Sequence, residues 1–204
     1  MKSMLHSLLI LFLVIFVINC AEAQVYSVPF HYQPTKTFPS LQQKFGSRLG
    51  IAPFKDERQE KSYIGIHFPL QGVATHFESL PMPLERALQE CMGDALSWLG
   101  VKVVSVSNWD GTAESLKDMD TDSVLTIEIK KFWTEGKGSL FRAKIKTAVQ
   151  LAIHVGVKSE GKVFTRNIEI EKEITALRAT PERVKAMIDE ILTDVFNTFF
   201  FSPY

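Results

Sequence analysis

Three consecutive stretches in the C-terminal half alternate apolar and polar residues with period two, and no other feature restricts the fold as strongly. In 124–133, Leu125, Ile127 and Ile129 share one face against Thr126, Glu128 and Lys130. In 142–157 the apolar face carries Ile145, Val149, Leu151, Ile153, Val155 and Val157; in 163–174 it carries Phe164, Ile168, Ile170 and Ile174. Such alternation marks strands that bury one face. The links Gly136-Lys137-Gly138 and Ser159-Glu160-Gly161 are short, which predicts an antiparallel three-strand meander. Its apolar face has to be covered by something else in the chain.

Two amphipathic segments supply the cover. Pro81 and Pro83 open a helix that runs to Trp98, with Leu84, Leu88, Cys91, Ala95 and Leu99 on one stripe and Gly100 as its stop. Thr180 caps a second helix that starts at Pro181 and carries Val184, Ile188, Ile191, Val195 and Phe199 on its stripe. A short strand at 48–54 comes before the first helix, separated from it by a polar loop at 55–62 and an extended piece at 63–68. Another strand follows at 101–106. A strand–helix–strand order with a crossover of this length predicts that the two flanking strands run parallel. The expected fold is α/β, with a mixed sheet. It has a parallel strand–helix–strand start, an antiparallel three-strand meander and two helices packed on one face, all in a single domain over 48–204.

The N-terminal part reads differently. Lys2 is the only charge before Glu22, and every residue from Leu8 to Ile18 is apolar. That run is about half of the roughly 20 residues a membrane-spanning helix needs, so residues 1–19 read as a signal peptide. Val17-Ile18-Asn19-Cys20 is similar to a lipobox, which makes Cys20 the lipidated N-terminus, although Asn19 stands where Gly, Ala or Ser is usual. Ala21-Glu22-Ala23 offers ordinary signal cleavage instead, leaving a soluble periplasmic protein that begins at Gln24. Cys91, on the helix stripe, reads as a small buried hydrophobe. Residues 20–47 form a proline-containing tether with Pro29, Pro34 and Pro39, able to reach roughly 80–90 Å when extended. The aromatics Tyr26, Phe30, Tyr32, Phe38 and Phe45 exceed what a solvated linker needs and suit either an extended arm lying on the domain or a partner-binding strap.

Charge narrows the function classes. Lys and Arg total 23 against 23 Asp and Glu, which argues against nucleic acid as a partner. Folding about Gly136–Gly138 sets Lys130 near Lys144 and Glu128 near Lys146, with Glu169, Glu171 and Glu173 beside the basic strand of Arg142, Lys144 and Lys146. The polar sheet face then neutralises itself. Trp133, with Phe132 and Phe141, offers a contact surface at the hairpin end.

Enzyme motifs are missing: there is no G-x-S-x-G elbow, no Walker loop and no H-E-x-x-H, and Gly136-Lys137-Gly138 lacks the third glycine of a dinucleotide loop. His31, His67, His76 and His154 have no metal-ligand spacing, so no metal and no cofactor are expected. Asp56, Glu57 and Arg58 follow the first strand, and Asp110 follows the strand after the helix. In parallel strands both loops emerge at carboxyl ends, where three carboxylates and an arginine form either a ligand or acid–base site or a solvated rim.

In layout, the chain resembles the YajG-type family of small bacterial lipoproteins. The resemblance is carried by Val17–Cys20, by Leu49-Gly50-Ile51-Ala52-Pro53-Phe54-Lys55-Asp56-Glu57-Arg58, by 84–103 with its Leu99-Gly100 ending, and by the meander followed by Pro181–Val195. Similar strand–helix layouts occur in envelope accessory lipoproteins resembling LpoB and in the N-terminal domain of TolB. The resemblance implies a non-enzymatic module anchored to a membrane through lipid on Cys20. It would lie in the cell envelope, on the outer membrane facing the periplasm, and would bind an envelope protein partner. A soluble periplasmic enzyme or small-ligand binder is the alternative class, and a structural part of a multi-subunit transport system is a third.

Overall fold

The computed structural model describes residues 24–32, 34 and 41–201. The expectations for the signal peptide, Cys20 and the Ala23 cleavage point lie outside the described residues. In chain order the elements are β1 (Gln24–Ser27), α1 (Leu41–Phe45), β2 (Arg48–Ile51), β3 (Lys55–Asp56), β4 (Gly65–Phe68), β5 (Thr75–Glu78), α2 (Leu84–Trp98), β6 (Lys102–Ser105), β7 (Ser123–Gly138), β8 (Ala143–Val157), β9 (Lys162–Ala176) and α3 (Pro181–Phe201).

All nine strands join one mixed sheet organised around β7. One edge of β7 pairs with β8 along its whole length, and β8 pairs with β9, both antiparallel as the alternation predicts. The other edge takes three short parallel strands in succession, β2, then β3, then β4. Beyond β2 lies β6, parallel to it as the crossover requires; beyond β4 lie β5 and then β1. Helices α2 and α3 cover one sheet face, and their stripes join Leu125, Ile127, Ile129, Leu151 and Ile153 in a single apolar core. On the opposite face the loop 107–121 folds back, setting Leu116, Trp109 and Met119 against Ala52 and Val124.

The predicted hairpin register needs correction. Gly136 and Gly138 belong to β7, and the reversal falls at 139–142, where Ser139 N–H and Oγ both donate to the Arg142 carbonyl at 2.7 Å. Ile129 therefore faces Leu151 rather than Ile145, while Lys144 faces Lys137 and Lys146 faces Glu135. The glycines answer to crowding, not to a turn. A Cβ on Gly136 would stand 3.0 Å from the His67 ring and 3.3 Å from Ala179 Cβ, and one on Gly138 only 2.9 Å from the Leu70 nitrogen. The outer face still neutralises itself, through Lys144–Glu173 and Lys146–Glu171 at 2.8 Å each.

The segment before the domain is not a free tether where it is described. β1 forms an edge strand on β5, and Val28, Tyr32, Leu41 and Phe45 are buried in the core. Tyr32 packs edge-on against Phe196 at 5.0 Å and donates its hydroxyl hydrogen bond to Asn197 Oδ1 at 3.1 Å. Phe30 stacks on Phe132 at 5.3 Å, which puts Phe132 on the core side and away from any contact surface. The arm alternative describes these residues. Cys20 stands four positions before Gln24 in sequence, a span of at most about 14 Å.

Candidate functional site

The polar residues singled out after the first strand fall into separate hydrogen-bonded groups. β3 sets Asp56 opposite Ile129, and the chain then turns so that Arg58 meets its carboxylate twice, Nη2 to Oδ2 at 2.8 Å and Nε to Oδ1 at 3.0 Å. Arg58 Nη1 also donates to the carbonyls of Tyr63 at 2.9 Å and Phe132 at 3.1 Å. Both side chains are almost wholly buried, 5% and 7% exposed. The pair braces the approach of β3 and β4 to β7, and Asp56 also borders a cleft with Phe54, Ser62 and Leu84. Glu57 points the other way, to the sheet rim, where it pairs with Lys130.

Asp110 is occupied within its own loop. Its Oδ1 accepts from Ser115 Oγ at 2.6 Å and from Thr112 N and Oγ1 at 2.8 Å each. The Ser115 and Thr112 bonds hold its carboxyl below the ordinary range. Trp109 donates to the Thr112 carbonyl at 3.1 Å, and its ring lies close over Gly156. The loop is thus a self-tied cover on one end of the outer face. No hydrogen bond among the described residues joins Asp110 to Asp56, Glu57 or Arg58.

A polar line that spacing did not reveal crosses the open face. The β7 ladder slips between Ile129 and Lys131, a bulge that aims Lys130 at both Glu57 and Glu128, the latter at 2.8 Å. Glu128 Oε2 also lies 3.5 Å from His154 Nε2, and His154 Nδ1 is 2.9 Å from Thr165 Oγ1. Lys130 holds the Glu128 carboxyl below its usual value, and Glu128 with Glu57 raises the lysine. The sequence signal for this arrangement is the break in alternation between Ile129 and Phe132, where two lysines stand together. Trp133 is half-buried on the same open face, opposite Ala148. Among the described residues no three His, Cys, Asp or Glu side chains converge as metal ligands.

A cleft of about 570 Å³ opens at the hairpin end of the sheet. Tyr26, Leu70, Val73, Phe77 and Leu177 line it with two arginines, Arg142 and Arg178. His67 also reaches it, and burial lowers this imidazole from its ordinary 6.5. The lining is thus mainly apolar with cationic corners.

No family model matches the chain, and no curated protein matches it in sequence. Solved structures match it at low identity. One is an uncharacterized protein, 11% identical, with a TM-score of 0.43 over 88% of this chain and 97% of that one. The lipoprotein GNA1162 from Neisseria meningitidis is 10% identical, with a TM-score of 0.38 over 74% of this chain and 99% of that one. The LpoB C-terminal domain from Salmonella enterica is also 10% identical, with a TM-score of 0.29 over 68% and 87%. Among the described residues no helix is long and apolar enough to cross a membrane.

Proposed function

We propose that the chain is a bacterial cell-envelope lipoprotein, acylated on Cys20 and held at the outer membrane, whose periplasm-facing domain works by binding a protein partner. The observation that carries this is the fate of the nominated acid–base residues. Asp56 and Arg58 neutralise each other in a buried brace, and Asp110 is tied inside its loop. In this reading the domain works through its surface. The partner surface in this proposal is the open sheet face around Trp133, where paired charges surround a half-buried aromatic, a residue type favoured at interface centres.

Metabolic labelling with palmitate tests the anchor: label on the wild type is lost in Cys20→Ala. An unlabelled wild-type protein sinks the lipoprotein reading. Co-purification tests the partner surface, which Trp133→Ala should weaken while Glu57→Ala and Asp110→Ala leave it intact. The apolar cleft favours a second reading, a soluble periplasmic small-ligand binder released after Ala23, since its volume lies in the usual ligand range. Loss of phenotype in Glu57→Ala or Asp110→Ala, with the fold intact, would favour the enzyme class instead.

A further inference from the structure

We infer that the hairpin end of the sheet is a lipid-facing surface that rests on the interface of a membrane containing anionic phospholipid. The inference rests on the Cys20 anchor proposed above. Leu140, Phe141 and Leu177 are 78%, 82% and 79% exposed, the most exposed large apolar side chains among the described residues. They sit on two adjacent connections, β7–β8 and β9–α3, and Leu70 of the neighbouring β4–β5 loop, 55% exposed, extends the patch. Protein cores gain nothing from such side chains, whereas the boundary between headgroups and acyl chains accepts them.

The charges fit the same occupant. The three connections, 69–74, 139–142 and 177–180, hold only two charged residues, Arg142 and Arg178. Both are exposed and neither makes an ion pair among the described residues, whereas Lys137, Lys144 and Lys146, the lysines nearest to them on the sheet, are paired. An unpaired guanidinium beside an apolar tip suits a phosphate headgroup, which it binds with a planar fork of donors.

The position of β1 decides between a bilayer and some other occupant. Gln24 pairs with Thr75, Thr75 with His67, and His67 with Gly136, so β1 enters the sheet at the level of the β7–β8 hairpin end. Cys20 lies four residues before it in sequence. An acyl chain there brings the membrane within about 14 Å of the hairpin end and leaves the opposite end free.

The acylated protein in vesicles tests this. Leu140→Cys and, at the far end of β8, Ser159→Cys each introduce an exposed thiol. Cys20 is blocked by its lipid, and Cys91 is buried, its thiol pushed up to about 12, so neither competes for a fluorophore. In vesicles of phosphatidylcholine with phosphatidylglycerol, aqueous iodide should quench a label at 140 severalfold less than one at 159. Arg142→Gln with Arg178→Gln should remove that protection and weaken membrane contact by about fivefold per arginine, and inorganic phosphate should not reproduce the loss. Equal quenching at 140 and 159 on vesicle-bound protein overturns the inference while leaving the anchor standing. Protein that fails to float with vesicles overturns the anchor reading first. Competition by free phosphate reassigns the arginines to a soluble anion and equally overturns it.

Discussion

Arg58 and Asp56 show how little a local motif says about its own burial. A carboxylate and an arginine two residues apart read as a rim or a ligand site; what encloses them is the turn carrying Tyr63 and, 74 residues on from Arg58, the arrival of Phe132 on β7. Arg58→Ala should cost about 3–5 kcal/mol in urea unfolding, because Asp56 and two backbone carbonyls would stay buried without their donor. A loss near that of an exposed pair, under about 1 kcal/mol, would place the brace in solvent. Titratable groups predict the pH profile. Burial pushes the Tyr32 phenol up to about 12, so its contribution is intact below its ordinary value of 10.0 and fades as pH climbs through about 12. Asp122, held below its ordinary 3.8 chiefly by Ser47 and the Arg48 N–H, behaves oppositely. Its stabilisation is present above that value and lost as pH falls beneath it, and denaturation midpoints against pH would show both flanks.

Elements whose signal repeats over ten or more residues were legible. The stripes of α2 and α3 and the apolar faces of β7, β8 and β9 all lie where the spacing predicts, since periodicity and burial are two views of one geometry. β1 and β5, four residues each, are too short to show a period, and the two-residue β3 sits inside a polar stretch. Glycine was the misleading residue. Its presence at 136 and 138 suggested a turn, whereas close approach of His67, Ala179 and Leu70 demands it. The same contrast yields a paired prediction. Gly65→Ala should destabilise, since the new Cβ would lie 2.4 Å from the Thr134 carbonyl oxygen. Gly93→Ala, inside α2 with only Ile51 Cδ1 nearby at 3.7 Å, should stabilise by about 0.5–1 kcal/mol. Thermal melts of the two variants moving in the same direction would contradict this account.

At the scale of the whole molecule, the docked arm alters what an anchor at Cys20 can do. A free tether of residues 20–47 would let the domain roam; with β1 in the sheet, an anchor at Cys20 would hold the hairpin end close to the membrane. Inserting a flexible Gly/Ser segment between Ala23 and Gln24 should leave the melting temperature unchanged yet make a label at position 140 easier to quench in vesicles. Unchanged quenching after insertion would mean that the anchor does not orient the domain. The long edge of β9 pairs with no strand among the described residues, and its alternating Glu169, Glu171 and Glu173 supply the charge that discourages edge-to-edge association.

From the amino-acid sequence alone came the strands of the meander, both amphipathic helices, the parallel start and the self-neutralising outer face. These follow from patterns that each segment carries within itself, because alternate residues of a strand and every third or fourth of a helix must share a side. The hairpin register, the docking of the arm, the enclosure of Arg58 and the clustering of Leu140, Phe141 and Leu177 at the end of the sheet where β1 enters were decided by tertiary structure. Each depends on which distant backbone arrives alongside, and a local pattern holds no record of that arrival until the chain has closed on itself.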